Sequence, residues 1–261
     1  MARPRLGQHF LRDLRTARRI AALVPPGASV VEVGPGRGAL TGFLLERASA
    51  YEGVELDGEL ARRLNERFGG RENFRLTAGD FLGYEPPGPG PYWLVGNIPY
   101  AISSKIVRRA TGEPRYVAAA LMFQREFARR LTARPGDPAC GSLSAYVTYH
   151  WETKTAFIVK AAGFSPPPLV DSAVVLFRRR EPPPVEVDDE ERFFALVRAA
   201  FAHRRKQLGN ADVDGFGLTK PEWLAVLERA DIKRNRRAQD LDLEEFARLY
   251  RVLRGVRGGV G

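Results

Sequence analysis

Three glycines at alternate positions, Gly34, Gly36 and Gly38, follow the apolar run Val30-Val31-Glu32-Val33 and lead into a stretch with helical apolar spacing. A strand that passes through such a loop into a helix brings backbone close to a nucleotide-like ligand, because glycine has no Cβ to hold the ligand away. The loop also reads as a tight strand-to-helix turn with no ligand, and Gly34, Gly36 and Ala39 satisfy the dinucleotide pattern, so alone it does not choose. Glu55, in Val54-Glu55-Leu56-Asp57, lies 21 residues beyond Gly34, the spacing at which a carboxylate accepts hydrogen bonds from ribose hydroxyls. NAD and S-adenosylmethionine both carry that ribose. Ala78-Gly79-Asp80-Phe81 then supplies an acid positioned to accept from an adenine amino group, and Asn97-Ile98-Pro99-Tyr100 follows a further strand. A dehydrogenase has no use for the last of these.

The exocyclic amine of adenine is a poor nucleophile, since its lone pair is delocalised into the ring. A transferase acting on it must hold the amine in line with the methyl it receives and draw on its N–H hydrogens. The side-chain oxygen of Asn97 can accept one of them, and the carbonyl of Ile98, turned inward because Pro99 restricts the residue before it, can accept the other. Tyr100 offers an aromatic face for a flipped base, and such stacking contributes ~1 to 3 kcal/mol. Positioning without a general base then provides most of the catalysis. A lone Asn-x-Pro-Tyr is an ordinary turn after a strand; behind a glycine loop and two spaced acids it reads as the catalytic segment.

The elements that must hold these groups are legible as alternation. Ser29 to Val33, Tyr51 to Leu56, Phe74 to Ala78, Tyr92 to Asn97 and Val117 to Phe123 read as buried strands, with helices over Gly38 to Ala48 and Gly58 to Phe68 between them, and such alternation predicts a parallel sheet covered by helices. Tyr146 to Val159 and Ser172 to Arg179 follow without a convincing helix, which predicts a closing antiparallel hairpin. The composition breaks at Glu181-Pro182-Pro183-Pro184, and the pattern beyond is only helical, in Phe193 to Phe201, Pro221 to Arg229 and Leu243 to Leu253. The expected organisation is a catalytic α/β domain over 1–183 and a helical domain over 184–261, with a disordered glycine-rich tail from Gly255 to Gly261.

Among 261 residues, 41 Lys and Arg against 31 Asp and Glu give a net charge of +10, which favours a polyanionic partner. One cysteine and three histidines argue against a disulfide scaffold or a Cys/His metal centre. No apolar run approaches the ~20 residues of a membrane span, and the chain is expected in the cytoplasm. Arg125, Arg129 and Arg130 fall on adjoining faces of one helix, Arg108 and Arg109 end another, and His203-Arg204-Arg205-Lys206 lies in the helical part. Together they are expected to bind RNA phosphates while the pocket reads the base; as single clusters each also reads as a solvated face. Arg178-Arg179-Arg180 is left undecided, and Trp93, Trp151 and Trp223 are expected in the core.

Leu6-Gly7-Gln8-His9-Phe10-Leu11, the Gly34 loop, Glu55, Asp80, Asn97-Ile98-Pro99-Tyr100, Phe123-Gln124-Arg125-Glu126, Gly141-Ser142-Leu143-Ser144, the run from Phe164-Ser165-Pro166-Pro167-Pro168-Leu169-Val170-Asp171-Ser172 to Val174, and Phe201-Ala202-His203-Arg204-Arg205-Lys206 together resemble the KsgA-type rRNA adenine dimethyltransferases over nearly the whole chain. The resemblance implies a Rossmann-like class I methyltransferase sheet with a small C-terminal all-helical domain. It implies S-adenosylmethionine as cofactor, held by His9, Leu11, Gly34, Gly36, Glu55, Asp80 and Asn97, with Asn97, Ile98, Pro99 and Tyr100 as the catalytic segment. The implied targets are two adjacent adenines near the 3′ end of small-subunit rRNA, each dimethylated at N6. The implied partner is the pre-ribosomal small subunit, met by a monomer. His9 stands where many members have Asn, and Ala211 to Gly217 reads as a loop where members continue a helix. Two rivals remain: an Erm-type enzyme acting on large-subunit rRNA, against which the Phe-Ser-Pro-Pro-Pro and His-Arg-Arg-Lys segments argue, and a non-catalytic assembly factor on the same scaffold.

Overall fold

The computed structural model describes residues 9–202, 205–210 and 218–257. Contacts divide the chain into two compact units, Met1–Ala128 with Glu152–Arg179, and Arg129–Trp151 with Arg180–Gly261.

The first unit is built on a seven-stranded sheet. Its strands are β2 (Ser29–Val33), β3 (Ala50–Glu55), β4 (Phe74–Ala78), β5 (Tyr92–Asn97), β6 (Tyr116–Gln124), β7 (Trp151–Val159) and β9 (Ser172–Arg179), in the order β4-β3-β2-β5-β6-β9-β7. The pairs β2–β3, β3–β4, β2–β5 and β5–β6 are parallel, and β9 runs antiparallel to β6. The chain leaves β2 toward β3 on one side and β5 lies on the other, so the end of β2 is a topological switch point, where an open α/β sheet forms its crevice. A short strand β1 (Phe10–Leu11) pairs antiparallel with β8 (Phe164–Ser165) outside this sheet.

Helices α1 (Leu14–Ala21), α2 (Thr41–Leu45), α3 (Gly58–Phe68) and α4 (Ser103–Thr111) belong to this unit, and α5 (Arg125–Leu131) leads out of it. Ile20, Val30, Leu44, Tyr51, Val95, Met122 and Val174 share one buried core. Asp13 caps α1 by accepting from the Arg15 N–H at 2.9 Å, and Asp57 caps α3 by accepting from Glu59 N–H at 2.9 Å. Helix α2 is shorter than the expected Gly38 to Ala48: Gly38 holds φ of +76°, which a helix does not continue through, and the helix ends at Leu45. Arg179, undecided from sequence, secures the end of α4: its guanidinium donates to the carbonyls of Ala110 (3.1 Å), Thr111 (3.2 Å), Glu113 (2.8 Å) and Tyr116 (2.8 Å). These include helix-end carbonyls that have no partner within the helix.

The second unit contains α6 (Ser142–His150), α7 (Glu190–Phe201), α8 (Lys220–Arg229) and α9 (Leu243–Arg257). Three expectations are corrected here. Tyr146 to His150 is helix and not strand. Its aromatic and β-branched residues favour a strand locally, but Tyr149 packs on Phe194 at 5.3 Å between ring centroids, and tertiary burial outweighs propensity. The boundary at 183/184 also misses that Arg129–Trp151 joins the helical unit. Ala133, Cys140 and Tyr149 are buried in the same core as Phe193, Trp223, Phe246 and Leu249. Helix α9 also continues through Gly255 to Arg257, into the stretch expected to be disordered. Trp151 and Trp223 are core residues, Trp223 donating its indole N–H to the Leu208 carbonyl at 2.8 Å, and Trp93 packs half-buried against the first core. Among the described residues no helix is long and apolar enough to cross a membrane.

Candidate active site

The turn after β2 is shaped by its glycines. Gly34 and Gly36 have φ of +59° and +61°, and nothing lies within 4 Å of where a Cβ on Gly34 would stand, so the bare backbone faces open space. Glu55 ends β3 beside it. Its Oε2 accepts from Gly36 N–H at 2.8 Å and its Oε1 from Asp57 N–H at 2.9 Å. A carboxylate has about four acceptor sites, so after both oxygens have been fixed by backbone donors each retains a lone pair for a ligand. Asp80, after β4, uses Oδ1 to accept from Leu82 N–H at 2.9 Å, which leaves Oδ2.

Asn97 ends β5, where Asn97 pairs with Met122 of β6. Its Nδ2 donates to the His9 carbonyl at 2.9 Å, which leaves Oδ1, the acceptor expected to meet a target amine, on the other branch of the amide. His9 is held in turn by Nδ1, 2.9 Å from the Pro166 carbonyl, so only its Nε2 remains for a ligand. Tyr100 packs its ring 5.7 Å from the His9 ring, and its hydroxyl lies 2.9 Å from Ser172 Oγ. Two segments far apart in sequence, His9 to Leu11 and Phe164 to Pro166, are thus tied together by the β1–β8 pair, and His9 reaches Asn97 and Tyr100.

These groups line one cavity of about 220 Å³ at the switch point: His9, Leu11, Gly34, Gly36, Glu55, Asp80, Asn97, Ile98, Pro99 and Tyr100 all face it. Every residue expected to bind the cofactor or catalyse is brought together there. Burial raises the Glu55 carboxyl above its usual range, against the lowering effect of its backbone donors. Burial also raises the Tyr100 phenol, so it stays neutral at physiological pH and is unsuited to act as a base.

Three comparisons bear on this cavity. The chain matches the family described as Ribosomal RNA adenine dimethylase over residues 1–254. It is 40% identical over 257 residues to "Ribosomal RNA small subunit methyltransferase A" of Dehalococcoides mccartyi, covering 95% of this chain and 87% of that one, and 37% identical to the protein of that name from Geobacter sulfurreducens, covering 99% and 98%. The chain belongs to the ribosomal RNA adenine dimethylase family. Among solved structures it resembles a dimethyladenosine transferase from Plasmodium falciparum, with TM-score 0.82, 27% identity and coverage of 96% and 98%. It also resembles the 23S rRNA methyltransferase ErmE, with TM-score 0.72, 33% identity and coverage of 94% and 99%. The sheet is the Rossmann-like class I methyltransferase sheet, and the chain is a methyltransferase of the dimethylase family.

Among the cavity residues to which the sequence reading gives no role, Glu32 is the buried acid. Glu32, two residues before Gly34, is buried, and its Oε2 accepts from Thr41 Oγ1 at 2.8 Å and Tyr51 Oη at 2.7 Å. Desolvation pushes its pKa up to about 7. The signal was an acid inside the otherwise apolar run Val30 to Val33, which a buried strand tolerates only with hydrogen-bond partners.

The expected RNA-binding residues divide. Arg109 is engaged in the fold, donating to the Tyr84 carbonyl at 2.5 Å and lying 3.7 Å from Glu113, a structural role that the sequence reading does not assign. Arg129 pairs with Asp137 at 3.1 Å. Arg108, Arg125 and Arg130 are exposed, as are Arg205 and Lys206. His203, Arg204 and the stretch 211–217, expected to be a loop, lie outside the described residues.

Proposed function

We propose that this methyltransferase uses S-adenosylmethionine to dimethylate N6 of two adjacent adenines near the 3′ end of small-subunit rRNA, acting as a cytoplasmic monomer on the pre-ribosomal small subunit. The single observation that carries the reading is the convergence of Glu55 and Asn97 on one cavity, each with its spare acceptor oriented by a backbone partner. The cavity fits the cofactor: Gly34 and Gly36 give backbone access, Glu55 keeps two lone pairs for ribose hydroxyls, and Asp80 Oδ2 can accept from the adenine amine. When bound, S-adenosylmethionine would supply an electrophilic sulfonium methyl for transfer to N6, with the neutral thioether as leaving group.

The chain's own residues supply position. Asn97 Oδ1 accepts one hydrogen of the target amine and the Ile98 carbonyl the other, which holds the amine lone pair toward the transferred group. Tyr100 stacks on the flipped base, its ring orientation fixed by Ser172 and His9. The proton released from N6 leaves to solvent after transfer, since Tyr100 is neutral and the segment contains no other base. Arg108, Arg125, Arg130, Arg205 and Lys206 contact phosphates, which set register and not base identity.

The likeness to ErmE supports a second reading, transfer to large-subunit rRNA. The relatives named small-subunit methyltransferases are the more similar, at 37 to 40% identity, and favour the first. Incubating the protein and labelled cofactor with small and large subunits that lack the modification, then mapping the labelled adenines, separates the two. Label confined to large-subunit rRNA would overturn the first reading.

A further inference from the structure

Leu169 stands wholly in solvent, at 103% relative exposure, beside Val170 at 46%. A single exposed leucine on a protein surface is ordinary; what distinguishes this one is its mount. The loop that carries it is fastened at both ends to residues of the active-site cavity. At one end the Pro166 carbonyl lies 2.9 Å from His9 Nδ1, and at the other Ser172 Oγ lies 2.9 Å from the Tyr100 hydroxyl. Leu169 is three residues from each anchor, so no more than about 11 Å of chain separates it from either. The backbone between is stiff. Pro166, Pro167 and Pro168 have fixed φ, and Asp171 accepts from Ala161 N–H at 3.1 Å and from Lys160 Nζ at 2.9 Å, while its carbonyl accepts from Arg125 N–H at 2.9 Å. A flexible loop would let the apolar side chain fold back onto the protein, whereas this frame holds it out.

We propose that Leu169 enters the rRNA base stack and fills the space a target adenine leaves when it turns into the cavity. The inference rests on the function proposed above and adds a positioning residue to it. Removing a base from a stack exposes the faces of its neighbours, and an inserted aliphatic side chain covers them, a device by which proteins wedge base steps apart. The surroundings suit RNA over an apolar partner: Arg125 and exposed Lys160 stand at the base of the loop, placed for the phosphates that flank the opened step. Two adjacent targets served in turn by one cavity need a plug that tolerates either neighbour, and a leucine side chain makes no base-specific hydrogen bond.

The test uses the full chain and small subunits lacking the modification, with a parallel rRNA hairpin carrying 2-aminopurine at one target position. Leu169→Ala is expected to slow single-turnover methylation at saturating substrate about tenfold, to suppress the 2-aminopurine fluorescence rise, and to leave cofactor affinity and melting temperature unchanged. Leu169→Met, which keeps the aliphatic length, should restore both. Equal rates and equal fluorescence for Leu169→Ala and the parent would overturn the proposal. So would weaker particle binding with unchanged rate at saturation, which marks a simple docking contact. If the parent itself labels no small-subunit rRNA, the function proposed above falls and takes this inference with it; an active parent with an indifferent Leu169→Ala removes the inference alone.

Discussion

The amide of Asn97 donates to the backbone carbonyl of His9 at 2.9 Å across 88 residues of sequence. The side chain of Asn97 is therefore oriented by the segment around His9, and that segment is itself held by Pro166. The orientation of Asn97 is shared among three stretches of chain that meet only in the fold.

Asn97→Ala is expected to lower single-turnover methyl transfer by at least about a hundredfold, the scale of loss when a reacting group is misplaced by about 1 Å. Tyr100→Phe keeps the stacking face, loses only the Ser172 contact, and should retain much of the rate; Tyr100→Ala should not. Near-parental transfer by a folded Asn97→Ala protein, with its melting temperature checked alongside, would remove the segment from the mechanism.

Glu55→Ala should weaken cofactor binding by roughly ten- to a hundredfold, because hydrogen bonds to a charged acceptor contribute ~1.5 to 3 kcal/mol. Calorimetry with S-adenosylmethionine reads this directly. An unchanged dissociation constant would mean that the ribose is held elsewhere.

Much of this site is legible in the sequence, for a physical reason. Gly34, Glu55, Asp80 and Asn97 each end or follow a β-strand of a parallel sheet, and the ends of such strands face one crevice, so order along the chain translates into proximity. What was not legible depends on contacts between distant segments. Nothing local in Tyr146 to His150 signals that Tyr149 will pack on Phe194 and force a helix. Nothing in Arg178-Arg179-Arg180 tells which arginine turns to the end of α4. Arg109 looks like Arg108 in sequence, and only the neighbouring Tyr84 carbonyl and Glu113 separate a structural residue from an exposed one.

Glu32 makes stability depend on pH with a defined sign. Its pKa is raised from 4.5 to about 7 in the folded chain. The stability this gives is therefore full below pH 4.5 and is lost as pH rises through about 7, to the extent of roughly 3 kcal/mol. Glu55, also raised by burial, acts in the same direction. Glu32→Gln keeps an acceptor for Thr41 and Tyr51 without the buried charge, so the variant should lose less stability between pH 5 and pH 8 than the parent does. Urea melts at the two pH values decide, and parallel losses would show that Glu32 does not titrate in this range.

Arg179→Ala should cost about 2 to 4 kcal/mol, since it leaves several carbonyls of the α4 end without their charged donor. Arg178→Ala, at an exposed position, should stay within about 0.5 kcal/mol. Denaturant midpoints for the pair test this, and equal midpoints would deny Arg179 its role at the helix end.

Salt dependence tests which of the basic residues contact RNA phosphates and which only hold the fold. Each phosphate contact releases condensed counterions, so removing one should reduce the slope of log affinity against log salt by ~1. Arg205→Glu and Lys206→Glu, at exposed positions in the helical unit, are expected to weaken binding to small-subunit particles and to flatten that slope. Arg109→Ala should do the opposite on both counts: its guanidinium is committed to the Tyr84 carbonyl and Glu113, so stability should drop while the slope stays at the parental value. Binding titrations from low to moderate salt, paired with melting curves, give both quantities for each variant. A parental slope in the Arg205 and Lys206 variants would make that cluster a solvated face, and a flattened slope in Arg109→Ala would return Arg109 to the RNA interface.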